Sequence, residues 1–274
     1  MSDERINMVQ KWLASAGQSW VESVESASSF LLRDYLKKWE HLIPVELHRL
    51  ASTLHAEVVR LNDLEGEAVI MPKNGGFRIL VKSSMTTSRY RTSVAHELVH
   101  TLFYTDSNEG TPQRAIPHSK REENFCFDVA RYLLAPKEHL EKIGVFRESD
   151  PTIVFNMLTQ TLRLSRPLAA RVMLADYPLA TGIGGRWILK PIGWKLEPGS
   201  STASPCLSER EKTELRKVAK GYLEHPEKRI ENLNFFAINE KNQNGVFLLV
   251  FTKCGIEEKS ESCQLRAFQS LFPF

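Results

Sequence analysis

The apolar positions change period several times along the chain, and each change marks an element. Over residues 5–60 the period is helical. Trp12, Leu13, Trp20, Val21 and Val24 share one stripe, and Phe30, Leu31, Tyr35, Leu36 and Trp39 share another. The spacing predicts helices whose tryptophans turn onto the rest of the protein. From residue 68 the period shortens. Residues 68–71 and 77–81 are β-rich runs on either side of Pro72-Lys73-Asn74-Gly75-Gly76, and the Asn-Gly pair predicts a hairpin. Ser83-Ser84-Met85-Thr86-Thr87-Ser88 then offers several N-cap residues. Behind it Val94, Ala95, Leu98, Val99, Leu102 and Phe103 return to helical spacing, with neither Pro nor Gly over residues 88–104. Gly110, Pro112 and Pro117 predict a loop over 105–118. Ser119-Lys120-Arg121-Glu122 reads as a capping box, with Glu122 folding back onto the helix start. That helix runs to about Leu134 and stops before Pro136.

Further along, residues 153–164 and 167–174 predict two short helices, with a core-supporting role favoured by their few cations. Thr181-Gly182-Ile183-Gly184-Gly185 reads as a flexible joint, residues 186–190 as a strand and 197–207 as a loop. Ser208-Glu209-Arg210-Glu211 forms a second capping box. The helix it opens turns Leu215, Val218, Ala219, Tyr222 and Leu223 inward. Residues 234–238 and 245–252 predict a hairpin. No internal repeat is evident. The expected fold class is α+β, in three parts. Residues 1–60 are a helical segment packing on the core, 61–180 are the core, and 181–274 are a small α+β domain without recognisable chemistry.

Composition narrows the reading only slightly. A chain of 274 residues can bury one large core or two modest ones. A net charge of +3 without a long basic run does not select nucleic acid as a partner. No charged-then-apolar leader and no apolar run of membrane length occurs, so a soluble cytoplasmic protein is expected. Cys126, Cys206, Cys254 and Cys263 form no Cys-x-x-Cys pair and read as free thiols, Cys126 as a small buried filler. His41, His48 and His55 lie seven apart, but Pro44 interrupts them and they read as surface residues.

The chemistry gathers at His96-Glu97-Leu98-Val99-His100. On a helix, positions i and i+4 share a face, so the two imidazoles can aim at one ion, with the Glu97 carboxylate beside it as a general base. A buried cluster of this kind without a metal would leave three polar side chains to satisfy. A catalytic zinc needs a third protein ligand. The helix after Ser119 offers Glu123, at the head of a stripe through Cys126, Phe127, Ala130, Leu133 and Leu134, or its neighbour Glu122. Asp128 is a candidate acceptor for a ligand imidazole's second N–H. Tyr104, Arg114 and His118 border the site, and nothing in the sequence selects among them. The hairpin strand before the motif helix has an edge to which an extended peptide could add.

These residues resemble the ImmA/IrrE family of zinc metallopeptidases. The resemblance lies in residues 76–81, in Arg89-Tyr90-Arg91-Thr92-Ser93-Val94-Ala95-His96-Glu97-Leu98-Val99-His100, in Glu122-Glu123-Asn124-Phe125-Cys126 and in Ala130-Arg131-Tyr132-Leu133-Leu134-Ala135-Pro136. It covers about residues 44–175, close to half of the chain. It implies a zincin-like domain of the gluzincin type, with zinc (Zn2+) on His96, His100 and Glu123 and with Glu97 as base. The family usually has Asn or Asp where Phe127 stands and Met where Ala135 stands, with Asp128 one place late, so Glu122 stays open as third ligand. The implied activity is that of a hydrolase, a metalloprotease cutting a regulatory protein such as a helix-turn-helix repressor in stress response or transcription regulation. No membrane partner and no directly bound nucleic acid are implied. The alternative is a catalytically silent relative that holds a regulator, or that binds DNA through residues 153–174 with Arg163, Arg166 and Arg171.

Overall fold

The computed structural model describes residues 2–105, 110–148, 150–176, 180–190, 193–196, 202–203, 207–224, 234–239 and 245–253. The architecture is α+β, helices with small mixed sheets. The chain divides into two compact units. One is Met1–Leu140 with Gln160–Ser165, and the other is Glu141–Thr159 with Arg166–Phe274.

The first unit begins with α1 (Ser2–Ala14), α2 (Gln18–Trp39) and α3 (Leu47–Thr53). Three strands follow: β1 (Ala56–Leu61), β2 (Ala68–Lys73) and β3 (Gly76–Lys82). They form one sheet in the order β1-β3-β2. β1 runs parallel to β3 with Val58 opposite Ile79, and β2 runs antiparallel to it with Ile70 also opposite Ile79. The predicted hairpin is therefore present, and β2 lies at a sheet edge. Residues 56–60, expected to be helical, are strand instead. Local pattern misleads there because branched Val58 and Val59 suit a pleated surface, and β3 supplies the ladder from outside the local window. The entry to this strand is tight. Phe77 N–H donates to the His55 carbonyl at 2.9 Å, and His55 has φ +53°. A Cβ at position 76 would lie 2.0 Å from that carbonyl oxygen, so only glycine fits there.

Next come α4 (Thr87–His100), a single 3-10 turn (Thr101–Phe103), the short pair β4 (Tyr104–Thr105) and β5 (Gln113–Arg114), α5 (Lys120–Leu134) and α6 (Lys137–Lys142). The pattern 76–82 buries alternate residues, so Phe77, Ile79 and Val81 face the helices. Val94, Ala95, Leu98 and Val99 of α4 are fully buried, as are Phe125, Cys126, Val129 and Leu133 of α5. Phe125 sits among three aromatic rings: Trp12 of α1 (centroids 6.3 Å), Trp20 of α2 (5.4 Å, edge-on) and Phe103 (6.4 Å). Trp20 also donates its indole N–H to Asp128 at 3.0 Å, and Arg121 donates to the carbonyls of Leu13 and Ser15. The amino-terminal helices are thus fastened to α5 by rings and by hydrogen bonds.

The helical pair predicted over 153–174 is α7 (Pro151–Asn156), which widens into a π-helical stretch (Met157–Thr161), and α8 (Arg166–Asp176). Arg163, at φ +55°, makes the turn. Val154, Phe155, Leu158, Ala169, Ala170 and Met173 are fully buried, which is packing rather than display. The second unit continues with β6 (Ala180–Lys190), β7 (Gly193–Leu196), β8 (Thr202–Ala203), α9 (Glu209–Glu224), β9 (Asn234–Asn239) and β10 (Gly245–Lys253). The sheet order is β7-β6-β10-β9, with β8 also on β6. The glycine-rich stretch expected to be a joint is strand. Gly182, Gly184 and Gly185 stand opposite Phe251, Leu249 and Leu248 of β10, and ladder bonds to that distant strand outweigh glycine's poor intrinsic fit. Ser208 caps α9 reciprocally with Glu211: its backbone N–H donates to the carboxylate at 2.7 Å, and Glu211 N–H donates back at 3.3 Å. Leu207, Ala219 and Leu248 form a small core, with Leu196, Leu215, Tyr222 and Leu223 against it. The thiols Cys206, Cys254 and Cys263, most of the 197–207 loop and the 240–244 turn lie outside the described residues.

Candidate metal centre

The pair α4 and α5 brings three of the residues singled out by sequence to one point. His96 and His100 lie one turn apart on α4, and their Nε2 atoms are 3.1 Å apart. Glu123 enters from the first turn of α5. Its Oε2 is 3.2 Å from His96 Nε2, and its Oε1 is 3.5 Å from His100 Nε2. Donors about 2.0–2.2 Å from one tetrahedral ion stand roughly 3.3 Å from each other. The separation of the two imidazole nitrogens and that of each from its nearer Glu123 oxygen lie close to that value, and all the donors are imidazole nitrogen or carboxylate oxygen, the set zinc accepts. Both histidines are more than nine-tenths buried, while Glu123 is about a third exposed and marks the open side.

Glu122 takes a different part from the one its position suggests. Half of the predicted capping box forms: Glu122 N–H donates to Ser119 Oγ at 3.1 Å. The Glu122 side chain does not fold back. It is fully buried and accepts the Nδ1–H of His100 at 2.7 Å, with Arg114 paired to its other oxygen. A buried anion between an imidazole N–H and a guanidinium is better compensated than one capping a half-solvated backbone. This bond holds His100 in the tautomer whose Nε2 carries a lone pair. Asp128, the acceptor considered for that task, is engaged by Trp20. A second grouping, His100, Glu122 and Cys126, is equally compact, but it suits a metal poorly. Burial pushes the Cys126 thiol well above its usual range, and Glu122 is committed to Arg114.

The electrostatics favour a neutral, ligand-ready His96. Burial, reinforced by His100 and opposed by Glu123, brings His96 down to about 4. Its Nδ1 is buried with no hydrogen-bond partner among the described residues. Glu123 is held below the usual carboxylate range by His118, His100 and His96 against the cost of burial, and Glu122 by His100 and Arg114. Glu97 goes the other way. Burial raises it, while His100 and an N–H from Ile70 of β2 restrain the rise. A raised proton affinity makes an ionised carboxylate a stronger proton acceptor, which suits a general base.

Two neighbours were not selected by sequence. His118 Nε2 lies 2.5 Å from Glu123 Oε1 at the open side, and the half-exposed ring of Phe127 lies 4.2 Å from that of His96. Phe127 stands one turn after Glu123, so helical spacing could have placed it.

Two results are expected. Metal-free protein should lose stability as pH falls from about 6.5 to about 4, because the unfolded chain takes a proton that folded His96 refuses. The loss is on the order of 3 kcal/mol, read from urea unfolding in chelator at the two ends of that window. A His96→Gln variant should show a flatter pH dependence; an equal slope would detach the effect from His96. Separately, Glu122→Gln should weaken zinc binding by about 10–100-fold in competition with a chromogenic chelator. Unchanged affinity would remove Glu122 from the site.

The fold and cluster together define an α+β protein with a metal-competent His-His-Glu centre. Among solved structures, that of a Mycobacterium tuberculosis transcriptional regulator is similar, with a TM-score of 0.50 at 10% identity over 91% of this chain and 80% of that one. At that identity the likeness concerns the fold. No protein-family model and no curated protein matches the chain. Among the described residues no helix is long and apolar enough to cross a membrane.

Proposed function

We propose that the protein is a zinc-dependent endopeptidase of the ImmA/IrrE type, acting on a regulatory protein. The observation that carries this reading is the convergence of His96, His100 and Glu123, whose donor atoms lie within 4.8 Å of one another, beside a carboxylate with raised proton affinity. His96, His100 and Glu123 would hold zinc, which when bound supplies a Lewis acid for the scissile carbonyl and for water activation. Glu97 accepts the proton of the attacking water and returns it to the leaving amine. The edge of β2, which runs beside α4, is suited to align an extended peptide by strand addition. Glu122 and Arg114 keep His100 oriented throughout.

A second reading has one observation in its favour. The fold likeness is to a transcriptional regulator, and a regulator can use a metal centre to hold a partner without cutting it. Metal analysis and cleavage separate the two. The purified protein is expected to carry about one zinc per chain, lost to chelator, and to cleave members of a proteome-derived peptide mixture at sites found by mass spectrometry. Zinc binding with no cleavage of any peptide favours the second reading. Absence of zinc affinity removes both.

A further inference from the structure

Away from the metal centre, the first unit contains a cavity of about 460 Å³. That is within the range of small-molecule sites, roughly 300–1,000 Å³. Its floor is apolar: Leu31 and Phe30 of α2, Leu54 at the end of α3, Phe77 of β3, and Leu102 of the 3-10 turn. Its rim carries Arg5, Arg33, Asp34 and His55. The only acid among these is already engaged, since Asp34 lies 3.6 Å from Arg33 and 3.4 Å from Lys37. Arg5 is incompletely satisfied. One of its terminal nitrogens donates to the Tyr104 carbonyl, while its Nε is buried with no hydrogen-bond partner among the described residues. His55 adds an independent sign. It holds a left-handed conformation at φ +53° on the cavity wall, fixed by the close passage of Gly76, and such backbone outliers gather at ligand-binding walls.

We propose that this cavity is a binding site for a small amphipathic carboxylate, its apolar chain on the Leu54–Phe77–Leu102 floor and its carboxylate at Arg5. An apolar floor selects a hydrocarbon body, and a rim on which arginines outnumber acids selects an anionic head. The site is independent of the metal reading. Its floor nevertheless includes Thr101 and Leu102, which follow His100 without a break, so a bound molecule touches the end of the metal-bearing helix.

Titration calorimetry on the full, metal-loaded chain tests this with octanoate, octylamine and 1-octanol as probes. Octanoate is expected to bind at least about 10-fold more tightly than the amine or the alcohol. Arg5→Gln should weaken octanoate by about 10-fold while leaving octanol unchanged, and Leu54→Trp, which fills the floor, should abolish all binding. Because Arg5 also fastens α1, Arg33→Gln is the second variant, expected to weaken octanoate by a smaller factor without changing thermal unfolding. Equal binding of the three probes, octanoate binding untouched by both arginine variants, or no binding of octanoate at all would each overturn the proposal.

Discussion

Replacing Glu97 with glutamine is expected to leave the zinc content unchanged and to slow peptide cleavage by about 10²–10⁴-fold. The amide has nearly the shape of the carboxylate and can still accept the Ile70 N–H through its oxygen, so the local packing survives. It cannot take a proton from water. The ligand atoms belong to His96, His100 and Glu123, none of which the substitution touches. Single-turnover cleavage together with metal analysis of the same sample reads both quantities. A variant that cuts as fast as its parent would take Glu97 out of the mechanism. Loss of zinc along with activity would mean that Glu97 holds the metal rather than the proton.

Phe125→Ala is expected to cost about 3–5 kcal/mol of stability, measured by urea unfolding. The Phe125 side chain is fully buried and contacts rings from α1, α2 and the 3-10 turn, so truncation opens a cavity between elements that cannot easily collapse together. Total stabilities of domains are about 5–15 kcal/mol, so a loss of this size removes a large share. It also loosens the helix that presents Glu122 and Glu123. Zinc binding should therefore weaken although no ligand is altered. A loss below about 1 kcal/mol would show that the amino-terminal helices are held by other contacts.

Much of the site was legible because its signals are local. The i, i+4 histidines, the Ser119 cap and the Asn-Gly hairpin each rest on a few adjacent residues, and the structure shows all of these features. What escaped depends on distant partners. Glu122 obeys the capping pattern in sequence, yet it answers to His100 and Arg114, which only the folded chain brings near. β1 is strand because β3 pairs with it, and the 181–185 stretch is strand because β10, some 60 residues on, lies beside it. His118 gained its place at the mouth from the packing of α5 on α4, which no spacing within one segment encodes, whereas Phe127 follows Glu123 by one helical turn.

The bond from Ile70 to Glu97 limits what can join the border of the three-stranded sheet. On the outward side of β2, alternation of the pleat puts Ala68, Ile70 and Pro72 in one row. Proline offers no hydrogen there, and the amide of Ile70 faces the Glu97 carboxylate. Donors are thus fewer than carbonyls along that row. An incoming chain would therefore donate more hydrogen bonds than it accepts. The same arrangement that leaves room for a short guest strand discourages stacking of the protein on itself.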